Sequence, residues 1–487
     1  MGMNEEHALL IRGGILVDER GVREGSLLVS GGRIAGEYAV GQEAGSGVEV
    51  LEAEGMVVMP GCVDAHVHFG MGIGGGMASR GVEESTRASV HGGTTTVVDF
   101  TDVLEGADLV ERLDRRAGDY AGRSHCDYGF HLTLGGGQLD LGSIRRLAEA
   151  GQRSFKVFTT YGDRGLKIEE AALLDLMGVL RDSGARLWVH CESDVLVTWA
   201  TRSNPWQVDG PCGHGRRRPK WAEVEAVGRI VQYGAAVGCP VHIVHASVAA
   251  SIEAVASARR EGADVTVETC PHYLLWDMER LCGEKGVLFT MAPPLRDAAQ
   301  VSGLWRSLQD GDVDIITTDS CGFPDDWKYA GASSGAVPMG IDGAGVMLPV
   351  LLVQGVGTGR LGLDRVVELC SRKPAELCGL YPRKGTLRVG ADADIVMVLA
   401  PAGSTYGACG RVSGRGDMVP GGGDKGPGRW GIAAAPLGSP PLYVAEGMGG
   451  WPSYVVKGGE VVVAEGRWQG NRPRGRFFGE TLQKRAN

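Results

Sequence analysis

The sequence predicts an α/β protein, a (β/α)8 TIM-like barrel with a small β-sandwich domain built from both chain ends. Three observations lead to this prediction. The chain has 487 residues, more than one compact core usually holds. Its middle alternates apolar β runs with amphipathic helical patterns, and its two ends share short apolar runs between glycine-rich turns.

The two ends are expected to form one β module. Residues 1–58 contain short strand-like runs such as 15–17, and similar runs return near the other end, for example at 393–398. Short strands joined by tight turns are typical of a small β-sandwich. We therefore assign 1–58 and 379–487 to this domain, the second part with a glycine-rich insertion at 403–438 and a C-terminal tail.

The barrel is assigned to residues 59–378. Its first strand opens with the apolar run Met-Val-Val-Met at 56–59 and leads into the next ten residues. Seven further β runs follow, at 94–99, 126–133, 154–159, 186–190, 240–245, 264–269 and 314–318. Helical patterns separate most of them, at 83–91, 107–120, 168–183, 223–237, 249–261 and 301–309. Eight β/α units in one chain favour a closed parallel barrel over an open sheet.

Composition excludes several classes of function. The net charge of −10 argues against nucleic-acid binding, and the basic run at 216–220 lies in a stretch with glycine and proline that favours a solvated loop. No apolar run has the length of a membrane span, and residues 1–10 lack a signal-peptide pattern. Eleven cysteines without CxxC spacing are expected to stay reduced. These features favour a cytoplasmic enzyme without nucleic-acid or membrane partners.

Metal-competent side chains fall where the predicted strands end, the edge that carries the active site in such barrels. They are His66 and His68 after strand one, Lys156 in strand four, His190 after strand five, His245 after strand six and Asp319 after strand eight. A His-x-His pair alone could be two ordinary polar residues, but placement on five strands predicts a metal site. Imidazoles and a carboxylate suit Zn²⁺ or a similar divalent ion.

Lys156 is the unusual member of this group. An ammonium beside a dication is repelled, so the side chain either points outward, away from the site, or is modified. Carboxylation of the amine by CO₂ gives a carbamate with two oxygens, one for each of two metal ions. Four imidazoles, one carboxylate and one carbamate are enough for two metals that share a hydroxide.

The chain resembles the cyclic amidohydrolases, and within them the dihydropyrimidinase and D-hydantoinase branch, over nearly its whole length. The resemblance rests on motifs spread along the sequence. They are Pro-Gly-Cys-Val-Asp-Ala-His-Val-His-Phe at 60–69, Gly-Gly-Thr-Thr-Thr-Val-Val-Asp-Phe at 92–100, Ser-Phe-Lys at 154–156 with Tyr161, Val-His-Cys-Glu at 189–192, Glu-Thr-Cys-Pro-His-Tyr-Leu-Leu at 268–275, Met-Ala-Pro-Pro-Leu-Arg at 291–296, Thr-Asp at 318–319 and Gly-Leu-Tyr-Pro-Arg-Lys-Gly-Thr at 379–386.

The resemblance implies a binuclear hydrolase that opens a cyclic amide, a hydantoin or dihydropyrimidine ring, to an N-carbamoyl amino acid by a metal-bridging hydroxide. One metal ion would be bound by His66, His68 and Asp319, the other by His190 and His245, with carboxylated Lys156 (N6-carboxylysine) as the bridge. Asp319 would act as general base and then general acid, and Tyr161 would bind the substrate and stabilise the oxyanion. A homotetramer is also implied.

The substrate is less well defined, because the chain departs from the family pattern. Ser320 follows the metal-binding aspartate where histidine is usual, Met339 replaces asparagine in Pro-Asn-Gly, and Ala292 stands where serine is frequent. The loop after Phe69 places Ile73 as a candidate contact to the substrate. An allantoinase or dihydroorotase type of activity is therefore the alternative, and a non-catalytic scaffold relative a further one.

Overall fold

The computed structural model of the protein describes residues 8–41, 45–74, 77–103, 108–137, 139–401, 405–406, 412–413, 430, 435, 438–470 and 472–479. The chain folds into two compact units. The first consists of Met1–Asp64, Thr86–Val97 and Ala344–Arg474, and the second of Ala65–Ser85, Val98–Gly343 and Gly475–Asn487. The domain limits expected from the sequence stay predictions, and most of the insertion at 403–438 lies outside the described residues.

The first unit is built around a mixed sheet of nine strands that come from both ends of the chain, as the sequence predicts. Met56–Pro60 lies between Leu9–Asp18, to which it is parallel, and Ile395–Leu399, to which it is antiparallel. The other strands are Gly21–Ser30, Arg33–Tyr38, Glu49–Glu52, Tyr454–Lys457, Glu460–Ala464 and Arg467–Trp468. Buried side chains from both ends, including Leu16, Val58 and Met397, form one core.

The structure corrects the start of the barrel. The run Met56–Pro60 belongs to the nine-stranded sheet, and the first barrel strand is Cys62–Val67. Gly61 separates the two strands, and a Cβ there would lie only 2.2 Å from Oγ1 of Thr95. The prediction was wrong because an apolar run shows only that a strand is buried; it does not say which sheet buries it.

The second sheet is the parallel barrel. Its strands follow one another around the barrel in chain order, namely Cys62–Val67, Thr94–Phe100, Asp127–Thr133, Ser154–Phe158, Arg186–His190, Val241–Ile243, Val265–Thr269 and Ile315–Ile316. Closure occurs just after the last strand, where Val67 and Ser320 form a parallel bridge and the His68 amide donates to the Ser320 carbonyl at 2.9 Å. The predicted (β/α)8 barrel is thereby confirmed.

Helices occupy most of the connections between barrel strands. Glu170–Ser183 is representative, because it buries Leu173, Leu176, Met177 and Leu180 on one face and ends at Gly184, which has a φ of 67°. The other α-helices are Val82–His91, Leu109–Tyr120, Leu141–Ala150, Asp194–Ser203, Trp206–Asp209, His214–Arg217, Lys220–Val237, Ala249–Arg260, Pro271–Leu275, Ala298–Asp310, Asp325–Ala332, Met347–Val350, Leu363–Val367, Lys373–Leu377 and Pro441–Ala445.

Shorter elements complete the fold. Two small antiparallel pairs, Gly72–Gly74 with Met77–Ala78 and Thr405–Tyr406 with Val412–Ser413, lie outside the main sheets. Short 3-10 and π-helical segments are Gly162–Arg164, Gly210–Gly213, Met278–Cys282, Gly286–Phe289, Leu351–Val356 and Glu368–Arg372. Within the described residues, no helix is long and apolar enough to cross a membrane.

The structure also corrects the expectation that all cysteines stay reduced. Cys212 and Cys282, 70 residues apart in sequence, form a disulfide with their Cα atoms 4.4 Å apart. The bond joins the loop after the fifth barrel strand to the loop after the seventh. The sequence held no sign of this pairing, because neither cysteine has a second one at close spacing and only the fold brings the two loops together.

Candidate metal centre

Three of the predicted ligands meet at one point of the barrel. Nε2 of His66 lies 3.2 Å from Nε2 of His68 and 3.2 Å from Oδ1 of Asp319, and Nε2 of His68 lies 3.3 Å from the same oxygen. Around a tetrahedral zinc ion with bonds of about 2.0–2.1 Å, ligand atoms are roughly 3.3 Å apart. The triangle therefore has the size that a single divalent ion requires.

Glu268 sets the orientation of the His66 ring. It accepts a hydrogen bond from His66 Nδ1, so Nε2 is the nitrogen that faces Asp319. Burial lowers the pKa of His66, but the charges of Glu268 and Asp319 outweigh this and raise it to about 9. A proton therefore binds readily between Nε2 and Asp319, and a metal ion would take the place of that proton.

The Glu268 carboxylate is itself fixed by three donors. Besides His66, it accepts from Nε2 of His242 at 3.1 Å and from the backbone amide of His245 at 3.0 Å. Burial alone would raise the pKa of Glu268, but the charge of His66 and the bond from His242 hold it below the usual range. Sequence reasoning gave Glu268 and His242 no role, although the position of Glu268 near the end of the seventh barrel strand was a signal.

His190 and His245 lie beside this group. Their ring centroids are 4.6 Å apart, and His245 lies 5.4 Å from His66. Nε2 of His190 donates to Glu192 at 2.8 Å, and burial lowers the pKa of His190 to about 4, so the ring is neutral and carries its lone pair on Nδ1. The fold thus brings all four imidazoles into one cluster.

Lys156 is buried, with only 2% of its surface exposed, and its Nζ faces the ring of Phe100, whose centroid lies 4.6 Å from that of His66, so the side chain points toward the histidines and not away from them. Its Nζ lies 5.2 Å from the ring centroid of Phe100 and 5.3 Å from that of Phe158. Burial lowers the pKa of Lys156 to about 8, although the charges of Glu268 and Asp319 oppose the shift. A larger neutral fraction makes the amine more nucleophilic toward CO₂.

Backbone strain is concentrated at the predicted site. Among the described residues other than glycine, four have positive φ, namely Tyr161 at 64°, His245 at 37°, Asp319 at 46° and Glu465 at 51°. Such conformations are unfavourable by about 1–3 kcal/mol each and persist where the surroundings enforce them. Three of the four are candidate catalytic or metal-binding residues, which marks this region as functional.

The donor set fits a metal ion. Nδ1 of His68 and Nδ1 of His245 are buried and have no hydrogen-bond partner among the described residues. The other nitrogen of His68 already faces His66 and Asp319. Imidazole nitrogens and a carboxylate that converge in an enclosed site are typical ligands of a catalytic divalent metal.

The predicted substrate contacts are less completely defined. Ala292 and Met339 are half-buried, and Ala292 precedes a cis peptide bond to Pro293. The side chain of Ile73 lies outside what the structure describes. Oγ of Ser320 lies 3.3 Å from Oδ1 of Asp342, so the residue that replaces the usual histidine is held by the loop that follows it. The roles of Ala292, Met339 and Ile73 stay predictions.

Comparison with known proteins places the chain among related sequences and structures. A model described as the amidohydrolase family matches residues 57–462. The D-hydantoinase of Geobacillus stearothermophilus is 34% identical over 402 residues, which cover 80% of this chain and 83% of that protein. Two solved structures are similar over 96% of this chain. The D-hydantoinase (dihydropyrimidinase) from Thermus sp. has 27% identity, a TM-score of 0.82 and 98% of its own chain covered, and the L-hydantoinase (dihydropyrimidinase) from Arthrobacter aurescens has 26% identity, a TM-score of 0.80 and 99% covered.

Proposed function

Because the chain belongs to the amidohydrolase family, we propose that it hydrolyses a cyclic amide, opening a hydantoin or dihydropyrimidine ring to an N-carbamoyl amino acid. The observation that carries this proposal is the triangle of His66, His68 and Asp319, whose size suits a divalent ion at the edge of the barrel where such enzymes bind substrate. The substrate class comes from the names of the similar proteins.

Two divalent ions, which we propose to be Zn²⁺, would be held by the six candidate ligands. His66, His68 and Asp319 would hold one, His190 and His245 the other, and carboxylated Lys156 would bind both. When bound, such ions lower the pKa of a water molecule and polarise the amide carbonyl. Carboxylation also removes the conflict between a buried ammonium and two dications.

Asp319 is suited to move the proton. Burial would raise its pKa, but the charge of His66 and hydrogen bonds from His66 and His68 hold it well below the usual range, so the carboxylate is ionised at neutral pH. It can accept the proton of the attacking water and then deliver it to the ring nitrogen as the C–N bond breaks. The water oxygen forms the new carboxylate.

Tyr161 is suited to stabilise the oxyanion. Burial raises the pKa of its phenol, so the group keeps its proton at neutral pH and remains a hydrogen-bond donor. Its ring lies 5.3 Å from that of His190, within the histidine cluster. A donor held in place before the reaction lowers the barrier more than one that must reorient.

Other activities remain as alternatives. Ser320, Met339 and Ala292 depart from the family pattern, which keeps an allantoinase or dihydroorotase type of reaction open, whereas retention of all six ligand positions disfavours a non-catalytic scaffold. The similar structures include both a D- and an L-hydantoinase, so we propose no enantiomer preference. A homotetramer and a cytoplasmic location stay expectations from the sequence.

The test combines metal analysis with a ring-opening assay. Gently purified protein should contain about two divalent ions per chain, as expected for a binuclear site. It should open at least one of hydantoin, 5-phenylhydantoin, dihydrouracil, allantoin and dihydroorotate, with turnover lost after chelation and restored by metal. A metal-free protein that opens none of the rings after metal is added would contradict the proposal.

A further inference from the structure

Arg218 binds the carboxylate that supports His190. Its Nε donates to Oε1 and Oε2 of Glu192, both at 3.1 Å, and its Nη2 donates to Oε2 at 2.5 Å. The Glu192 side chain is fully buried and that of Arg218 is 12% exposed. A guanidinium in this forked geometry fixes the position of a carboxylate as well as neutralising its charge.

Glu192, held in this position by Arg218, in turn fixes the tautomer of His190. The same Oε2 accepts from Nε2 of His190 at 2.8 Å, and a carboxylate can only accept, so the proton lies on Nε2 and the lone pair on Nδ1. The backbone of Glu192 is anchored separately, because its amide donates to Oγ1 of Thr159 and its carbonyl accepts from that hydroxyl. Only the side chain of Glu192 therefore depends on Arg218.

Arg218 also contacts Tyr161. Its guanidinium carbon lies 4.9 Å from the centroid of the tyrosine ring, within the range of a cation–π interaction. Tyr161 has a φ of 64°, a conformation that neighbouring groups must enforce. The guanidinium thus touches both the strained tyrosine and the carboxylate behind His190.

Arg218 is held in place from outside the cluster. Nη1 of Arg296 donates to the Arg218 carbonyl at 2.5 Å, and Nη2 of Arg296 lies 3.3 Å from Oε2 of the buried Glu223. The Arg218 amide donates to the His214 carbonyl at 3.1 Å. These contacts give Arg218 a fixed position from which it can hold other groups.

We propose that Arg218 is a positioning residue with two roles. Its guanidinium holds Glu192, which sets the tautomer of His190, and the same guanidinium orients the ring of Tyr161. The inference rests on the proposed function for the roles of His190 and Tyr161. Loss of Arg218 leaves Glu192 as a buried charge without its counterion and without the donors that hold its carboxylate, which favours rotation of the carboxylate away from His190. Metal binding and catalysis should therefore weaken together.

The first test measures metal affinity, which needs no substrate. Zn²⁺ dissociation constants are compared by chelator competition for Arg218→Met, Arg218→Lys and the matched control Arg216→Met, whose exposed side chain pairs with Asp209. We expect Arg218→Met to raise the dissociation constant by about 10–100-fold, as for other groups that orient a ligand. The dissociation constant of Arg218→Lys should lie between those of wild type and Arg218→Met, and that of Arg216→Met should equal the wild-type value. Wild-type affinity in Arg218→Met would overturn the inference.

A second variant separates the role of Arg218 from general destabilisation. In Arg218→Met with Glu192→Gln, the amide oxygen still accepts from His190 and no buried charge remains, so metal affinity should recover relative to Arg218→Met alone. The absorption spectrum of bound Co²⁺ should recover with it. If the double variant binds metal no better than the single one, the charge argument is wrong.

A double-mutant cycle tests the contact with Tyr161. If Arg218 positions Tyr161, then Arg218→Met should reduce kcat much less in a Tyr161→Phe background than in wild type, because the group it orients is gone. Equal reductions in both backgrounds would contradict the positioning of Tyr161. Absence of ring opening by the wild type would refute the proposed function, while the metal measurements would still decide the effect on His190.

Discussion

Nδ1 of His66 donates a hydrogen bond to Oε1 of Glu268, and this contact decides which nitrogen of the imidazole can bind a metal. The two residues are 202 positions apart in sequence and come from the first and seventh barrel strands. Because Glu268 also accepts from His242 and from the amide of His245, one carboxylate is shared by several parts of the cluster.

Glu268→Gln should weaken metal binding. Both oxygens of Glu268 accept hydrogen bonds, Oε1 from His66 and Oε2 from His242, so the amide of glutamine must turn its NH₂ toward one of these two rings and lose that bond. We expect the dissociation constant for Zn²⁺ to rise by about 10–100-fold in a chelator competition assay. Glu253→Gln, at an exposed position on Ala249–Arg260, is the matched control and should bind as wild type does. Equal affinity of the two variants would contradict the role given to Glu268.

Lys156 should carry an added carboxyl group in the metal-loaded protein. Native mass spectrometry or a crystal structure would detect it, and mild acid should remove it together with the metal. Lys156→Ala should lose activity and metal, and a short-chain carboxylic acid should restore part of both by supplying the missing oxygens. Lys285→Ala, at an exposed lysine, controls for the substitution. An unmodified lysine in fully active protein would show that the carbamate is not needed.

Tyr161→Phe should lower kcat about 10²- to 10³-fold, the range for loss of one oxyanion donor, and leave KM nearly unchanged. The ring and its contacts with Arg218 and His190 stay in place, so only the hydroxyl is tested. Steady-state kinetics with the best ring substrate gives both constants. Tyr329→Phe, at a tyrosine with 44% exposure, should behave as wild type. A change in KM alone would instead assign Tyr161 to substrate binding.

Lys328 should make stability depend on pH. It is buried, its Nζ donates to the carbonyl oxygens of Leu288 and Thr290, and burial lowers its pKa from 10.5 to about 7. Between these values the unfolded chain holds a proton that the folded chain has lost, so this group makes the free energy of unfolding rise with pH. The cost of burying the charged Lys328 therefore lowers the free energy of unfolding by its full amount below about pH 7. This cost disappears above about pH 10.5, where the lysine is neutral in both the folded and the unfolded chain.

In Lys328→Met, the free energy of unfolding should therefore increase less steeply with pH than in wild type. Denaturant unfolding at several pH values gives the slope, and Lys285→Met, at an exposed lysine, should keep the wild-type slope. The comparison uses slopes because the substitution also removes hydrogen bonds to Leu288 and Thr290, which shifts stability at every pH. Parallel curves for Lys328→Met and wild type would show that the lysine does not titrate in this window.

The disulfide between Cys212 and Cys282 should stabilise the fold. Closing a loop of 70 residues lowers the entropy of the unfolded chain, which raises the free energy of unfolding by about 4 kcal/mol in the loop-entropy model. Cys212→Ser should lower the unfolding temperature under oxidising conditions, and reductant should remove the difference from wild type. Cys378→Ser, at a half-buried cysteine outside this disulfide, is the control. An effect of Cys212→Ser that persists in reductant would point to lost packing instead of a lost bond.

The succession of barrel strands and the candidate metal ligands could be predicted from the sequence, because both depend on patterns among residues that are close together in the chain. Apolar runs of strand length alternate with helical patterns, and barrels carry function where strands end, so His66, His190 and Asp319 could be singled out without knowing their neighbours. The strand Met56–Pro60 was assigned to the wrong sheet because burial alone does not identify a partner.

The sequence by itself determined the barrel, the β module from both chain ends and the residue types for metal chemistry. Only the tertiary structure decided which groups orient the candidate metal ligands, because these contacts join residues distant in sequence, such as Glu268 with His66 and Arg218 with Glu192. The disulfide between Cys212 and Cys282 likewise depends on the tertiary structure. Local patterns report whether a side chain is buried and in which element. The partner of a buried polar group depends on strand neighbours and loop paths, and these are settled only when the whole chain packs.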